Sequence, residues 1–318
     1  MKFNDNRRSA LKTICAVAAA STGASLVGCA QTPSNSVAWS AGTEPARVKM
    51  PPNATDCHHH IYDHSHPWAS EATLKPGNAT VADYRRLQMR VGTTRNVIIQ
   101  PSSYGVDNRL LLAAIAEFEG RARGIAVVNT SVTQQELIEL HKGGVRGIRF
   151  NLAPPGTTTL DMVKPLARRI APMGWHIQVN APAVYLLNAR DTWGDLPCPV
   201  VFDHLAHIPE PDAIHHPAFS MVTELLLSKK AYVKLTGFYN DTKVGPPTYS
   251  DSVVVAAAYA QAAPDRVLWG SDWPHPTEQP HNQIPDDALL TNLITTVVPN
   301  SSRRDQMLVD NPRKLYQF

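Results

Sequence analysis

From residue 53 onward the chain alternates between short apolar runs and stretches in which apolar residues recur every three or four positions. The runs at 55–61, 96–100, 124–129, 145–151, 175–180, 200–204, 232–236 and 267–272 read as strands. Between them, 81–91, 108–120, 134–143, 161–173, 221–229 and 252–262 have helical spacing, and several open after Ser, Thr or Asp or close on Gly. Two more helices are expected at 286–298 and 302–310. Such alternation implies a parallel sheet with crossover helices. Eight strands point to an α/β fold, the TIM (β/α)8 barrel, with a doubly wound open sheet as the alternative. No Gly-x-Gly-x-x-Gly follows the first strand, which counts against the open dinucleotide-binding sheet.

The pattern is different before residue 53. Arg7-Arg8 sit in Asn-Arg-Arg-Ser-Ala-Leu-Lys, followed by a mildly apolar stretch over 13–27. This resembles a twin-arginine export signal, with Ala10 where the pattern prefers an aromatic residue. Leu26-Val27-Gly28-Cys29 resembles a bacterial lipobox, in which Cys29 would carry the lipid and become the first mature residue. An ordinary secretory peptide is the alternative. Residues 30–52 are rich in Ser, Pro, Thr and Asn and read as flexible. The expected organisation is therefore a lipoprotein signal over 1–28, a tether over 29–52 and one folded domain over 53–318. That makes an exported cell-envelope lipoprotein on the periplasmic face of a bacterial membrane, held by a lipid on Cys29. Cys57 and Cys198 remain, too few for a disulfide framework, and are expected to be free thiols.

Composition narrows the partners. With 43% hydrophobic and 18% charged residues, the chain can build a large core. The net charge of +3 is spread without a basic stripe, so nucleic-acid binding has no electrostatic footprint.

In a barrel the chemistry sits at the C-terminal ends of the strands. The first strand carries Asp56-Cys57-His58-His59-His60, and the two-residue period puts His58 and His60 on one face, with Cys57 and His59 toward the helices. Two imidazoles on one face suit metal ligation or carbonyl polarisation. The last strand ends in Gly270-Ser271-Asp272-Trp273-Pro274-His275. Asp272 is there a metal ligand or a general base; Pro274 argues against a simple helix cap. On the sixth strand His204 is expected to face inward with Phe202, and on the fourth Arg149 with Asn151. Asp203 and Arg146 are expected to face outward as structural residues.

Taken in order, these strings carry a resemblance. Asp-x-His-x-His, Gly-x-Arg-Gly-x-Arg-Phe-Asn, Asp-His, Val-Lys-Leu-Thr-Gly, Gly-Ser-Asp-Trp-Pro-His and a terminal Asp-Asn-Pro-x-x-Leu-Tyr are similar to the amidohydrolase superfamily. More closely, they resemble its branch of 2-pyrone-4,6-dicarboxylate lactonases, over residues 53–318. The resemblance implies a hydrolase acting on a carboxylic ester ring. Asp272 would activate water, His58, His60 and His204 would polarise the carbonyl, and Arg149 would bind an anionic group. Asn151, Gln178, Asn180, Tyr62 and Trp273 would complete the substrate site, with Trp68, Phe238 and Tyr239 also near the mouth.

Two departures from the family pattern shape the expectation. The mouth end of strand five reads Gln178-Val179-Asn180 and lacks a histidine, while His176 comes too early and reads as buried. The metal ligands left are His58, His60 and Asp272, joined by His204. They are of a kind that holds a divalent metal such as zinc, but metal-independent catalysis is what this branch implies, so no cofactor is expected to be required. Arg149 is also the one clear guanidinium near the mouth, so the expected substrate is a neutral or monoanionic lactone rather than a dicarboxylated pyrone. A metal-dependent decarboxylase or amide hydrolase of the same superfamily is one competing reading. A solute-binding lipoprotein is the other.

Overall fold

Eight strands follow one another around a single parallel sheet in chain order: β1 (Thr55–His59), β2 (Arg95–Ile99), β3 (Ala122–Ala126), β4 (Val145–Asn151), β5 (His176–Asn180), β6 (Val200–Phe202), β7 (Ala231–Leu235) and β8 (Val267–Trp269). The computed structural model describes residues 36–153 and 157–318; the expected signal and Cys29 lie outside them. Just past β8, the Asp272 amide donates to the His58 carbonyl and the His60 amide to the Trp273 carbonyl, both at 2.8 Å. These bonds bring the last strand back to the first and make the sheet a barrel, the TIM architecture read from the sequence.

The helices between strands are α1 (Val81–Val91), α2 (Arg109–Glu117), α3 (Gln134–Lys142), α4 (Val163–Ile170), α5 (Ala183–Asn188), α6 (Arg190–Gly194), α7 (Pro217–Leu227) and α8 (Ser250–Ala262). Local chemistry sets their starts. Thr80 with Asp83 and Thr133 with Glu136 form capping boxes at α1 and α3. The short helices α5 and α6 were not expected, because five or six residues are too few to repeat a helical period. The closing segment is more broken than the pattern suggests: α9 (Asp287–Asn292), α10 (Ile294–Val297), α11 (Ser301–Asp305) and, after a π turn, α12 (Asn311–Tyr316). Strands β6 and β8 stop earlier than expected, since His204 (φ 49°) and Asp272 (φ 65°) take left-handed backbone that no strand can continue.

Outward-facing strand residues such as Ile148, Phe150, Ile177 and Val179 pack with the helices, while Val97, Ile125, Val201, Tyr232 and Leu268 fill the lower barrel interior together with Tyr316 of α12. Cys57 belongs to this interior group, not to the helix layer. The cause is a bulge in β1: Asp56 pairs with Asn96 and His59 with Ile98, so β1 spends one residue more than β2. Cys57 and His58 therefore both face inward, and His59 alone turns out, stacking on Tyr84 at 3.5 Å.

The expected tether needs a second correction. Val37 is buried, and Trp273 Nε1 donates to the Ala38 carbonyl at 2.7 Å. Arg90 of α1, itself buried, donates to Glu44 O, Ala41 O and Ser40 Oγ at 2.8–2.9 Å and pairs with Asp286 at 2.7 Å. Polar composition left this stretch without a core signal, but a buried guanidinium has taken its backbone carbonyls as acceptors. Among the described residues no helix is long and apolar enough to cross a membrane.

Candidate active site

The strand ends converge on Asp272. Its Oδ1 lies 3.5 Å from His58 Nε2 and 3.8 Å from His60 Nε2, and its Oδ2 lies 3.8 Å from His204 Nδ1. Three strand ends, those of β1, β6 and β8, supply these groups, and two glycines let them approach. A Cβ on Gly270 would meet the His58 backbone nitrogen at 2.7 Å, so β8 can lie this close to β1 only without a side chain there. A Cβ on Gly237 (φ +66°) would fall 2.7 Å from His204 Nδ1. Behind this face Asp56 ties β1 to the β8 loop, accepting from Ser271 Oγ (2.6 Å), Ser271 N (2.9 Å) and Tyr84 OH (2.9 Å). Burial pushes its carboxyl up to about 6.

His204 reaches the site by a route that alternation does not describe. On β6, Phe202 faces the helices and meets Trp193 of α6, and Val201 faces inward. Asp203 is therefore inward, against expectation, and four consecutive left-handed residues from His204 to His207 then swing His204 in as well. Asp203 is the hub of a buried layer beneath the mouth. It stands 3.3 Å from His58 Nδ1, 3.3 Å from Arg149 Nε, 3.4 Å from Lys234 Nζ and 3.1 Å from Gln178 Nε2. Burial opposes its ionisation, but the Lys234 and Arg149 charges beside it win and hold it well below the usual carboxylate range.

Protonation states follow from these neighbours. Burial and the Lys234 charge hold His58 neutral, far below the ordinary histidine value. Burial brings His60 and His204 down to about 3. His60 Nδ1 donates to the Ile99 carbonyl at 2.8 Å, so its Nε2 faces Asp272 as a bare acceptor. Burial raises the Asp272 carboxyl above the usual value, which makes it a stronger base.

Above the cluster lies a cavity of about 300 Å³ lined by His60, Tyr62, Arg149, His204 and Asp272, with Asn151, Asn180, Ser102, His207 and Asn240 around its wall. Gln178 and Trp273 do not line it. Gln178 lies in the layer below, accepting from Lys234 at 2.7 Å, and Trp273 packs outside the barrel against Tyr84. Phe238 is core, and Trp68 stacks on Tyr104 at 4.8 Å. His176 is buried in the barrel beside Tyr316.

Lys234, His275 and Asp287 are not foreseen by sequence reasoning, and Tyr239, expected only near the mouth, has a more specific place. Lys234 is fully buried; its signal was a lone charge inside a strand whose other residues are all apolar. Tyr239 donates to Asp272 Oδ2 at 2.5 Å, and behind it His275 contacts the Tyr239 hydroxyl (3.0 Å) and Asp287 (3.1 Å). No local spacing announces that chain.

The donors for a divalent ion are partly in place. His58, His204 and Asp272 each present an atom within 4.8 Å of the others, and His58 Nε2 and His204 Nδ1 have no hydrogen-bond partner among the described residues. Their spacing suits an ion, but the ammonium of Lys234 at 3.3 Å from His58 Nδ1 does not.

Residues 55–318 match the amidohydrolase family. A 2-pyrone-4,6-dicarboxylate hydrolase of Comamonas testosteroni is 33% identical over 290 residues, 87% of this chain and 94% of the relative. A 4-sulfomuconolactone hydrolase of Hydrogenophaga intermedia is 29% identical over 277 residues, 86% of this chain and 91% of the relative. Among solved structures, an Agrobacterium tumefaciens protein without ligand superposes with a TM-score of 0.81 at 25% identity, covering 88% of this chain and 98% of its own.

Proposed function

The chain belongs to the amidohydrolase family, in the branch of the 2-pyrone-4,6-dicarboxylate lactonases, and on that premise we propose that it opens a lactone ring by hydrolysis. The observation that carries this reading is the convergence of three neutral imidazoles on one raised carboxylate, with Asp272, His60 and His204 lining a single cavity. Ester hydrolysis needs a base for water and donors where the oxyanion develops. Asp272 Oδ1 and His60 Nε2 are both acceptors, 3.8 Å apart. A water between them would donate one proton to each, with its lone pair turned toward the cavity. Asp272 takes the proton as the water attacks the ring carbonyl. His204, on the cavity wall, then faces the growing negative charge on the carbonyl oxygen, with His58 behind it against Asp272. Collapse of the tetrahedral centre breaks the ring C–O bond, and the proton on Asp272 returns to the leaving alkoxide. A metal bound to His58, His204 and Asp272 would supply Lewis-acid polarisation, but none of these steps needs it.

Selectivity follows from the wall. Arg149 spends Nε on Asp203, and its terminal nitrogens make no hydrogen bond to the described residues. Among the described residues it is the one guanidinium lining the cavity, and the other polar groups there are mostly neutral amides, hydroxyls and imidazoles. This supports a lactone with one carboxylate, or none, over the two carboxylates in the name of the Comamonas relative. The test is turnover of neutral, monocarboxylated and dicarboxylated lactones, each with and without chelator. Preferred opening of a neutral or monocarboxylated ring, insensitive to chelator, is expected. No turnover of any lactone would overturn the reading.

We also infer that the enzyme is an exported lipoprotein of the cell envelope. Arg7-Arg8 and Leu26-Val27-Gly28-Cys29 support export and lipidation.

A further inference from the structure

Lys234 is a fully buried lysine at the centre of the barrel, and the carboxylate beside it, Asp203, is shared with Arg149. Its ammonium has three N–H donors and three acceptors within reach: Gln178 Oε1 at 2.7 Å, His58 Nδ1 at 3.3 Å and Asp203 Oδ1 at 3.4 Å. An ammonium can only donate. At the His58 contact the imidazole must therefore accept, and a neutral ring that accepts at Nδ1 carries its proton on Nε2. That nitrogen is the one aimed at Asp272, 3.5 Å away.

Asp203 Oδ1 stands at the same 3.3 Å from His58 Nδ1 but would dictate the opposite tautomer. It would take a proton from Nδ1 and leave Nε2 bare. A carboxylate behind one imidazole nitrogen with a bare nitrogen in front is the arrangement that metal-binding histidines use. The two neighbours of Nδ1 thus compete for the chemical identity of Nε2, as hydrogen-bond donor or as ligand. The geometry favours Lys234: its contact to Nδ1 satisfies hydrogen-bond angles, while Asp203 Oδ1 is without a hydrogen-bond partner among the described residues.

Resting on the lactonase reading above, we propose that Lys234 is a positioning residue that fixes His58 as its Nε2–H tautomer, making it a donor aimed at the catalytic Asp272 and withholding it from a divalent metal. The charge count agrees. Arg149 and Lys234 already balance Asp203 and Asp272, so a dication would enter a buried site with no spare negative charge. Without Lys234 the site carries one net negative charge, and Asp203 is in place to hold Nδ1–H.

The test is zinc binding to the full chain in detergent, after chelator treatment, for wild type, Lys234→Met and Lys234→Met/Asp203→Asn. Lys234→Met is expected to bind one zinc about 10–100-fold more tightly than wild type, the weight of an outer-shell partner. The double variant should lose that gain. Nitrogen-15 NMR of the imidazoles should place the His58 proton on Nε2 in wild type and on Nδ1 in Lys234→Met. Stoichiometric zinc in wild type at the affinity of Lys234→Met, or an Nδ1–H tautomer in wild type, overturns the proposal. Should Lys234→Met fail to melt as a folded protein, the wild-type tautomer alone decides. Neither readout depends on turnover, so a protein inert on every lactone with this zinc response would sink the lactonase reading and leave this one standing.

Discussion

The Tyr239 hydroxyl donates to Asp272 Oδ2 across 2.5 Å, and it does so as the last link of a chain running Asp287, His275, Tyr239, Asp272. Burial works against a charged His275, but Asp287 at 3.1 Å and the Asp272 charge win and raise it above the ordinary histidine value. As an imidazolium it donates through both nitrogens, Nε2–H to Asp287 and Nδ1–H to the Tyr239 oxygen, which leaves the Tyr239 proton pointed at Asp272. Burial raises Asp272, and this bond pulls the other way. Activity should fall as pH drops through that raised value, because the base is then protonated. Tyr239→Phe removes a lowering influence, so the acid limb of kcat/KM against pH should move to higher pH. An unmoved limb in a folded variant would detach Tyr239 from the base.

Asp272→Asn keeps the shape and loses the base. Its kcat should fall by on the order of 10²–10⁴-fold, the usual weight of general base catalysis, with KM changed much less. The measurement is steady-state kinetics on the best lactone, with folding checked by thermal melt. A folded variant that keeps most of its kcat would shift the search for the base to His204.

Arg149→Met should raise KM for a carboxylated lactone by about 10–100-fold, from the roughly 1.5–3 kcal/mol of a hydrogen bond to a charged group. A neutral lactone should lose less. The fold should survive, since Asp203 keeps Lys234 and Gln178. Equal losses on both substrates would make Arg149 a support for Asp203 rather than a substrate anchor.

Strand alternation read the middle of the barrel well. Arg149 and Asn151 face the cavity, while Arg146 turns out and donates to the His141 carbonyl. It failed wherever the backbone departs from a plain strand. The β1 bulge puts Cys57 inside, and the left-handed turn after Asp203 brings two adjacent residues to one face. Trp273 turns away from the cavity because its indole is held by the Ala38 carbonyl, in a segment whose polar composition carries no sign of docking. Tyr239, His275 and Asp287 meet only in three dimensions, so their chain has no signature in spacing.

Cys29→Ser should release the protein from membranes, and Arg7→Lys with Arg8→Lys should block export. Fractionation of cells after a high-salt wash measures both. A Cys29→Ser protein still in the membrane pellet would exclude lipidation, and continued export of the double lysine variant would indicate the general secretory route.

The docked segment from Val37 to Glu44 changes how the molecule would be handled and how it would live. A gene trimmed at residue 53 would discard the Ser40 hydroxyl and the Ala41 and Glu44 carbonyls, leaving the Arg90 guanidinium with Asp286 and stripping the partner from the Trp273 indole beside the catalytic loop. Soluble production should therefore begin before residue 36. Were Cys29 to carry the lipid proposed above, Val37 would follow it by only eight positions, a contour of at most about 30 Å. The enzyme would ride close against the bilayer on a short mooring, confined to two-dimensional diffusion and fed by whatever lactone passes through that thin layer.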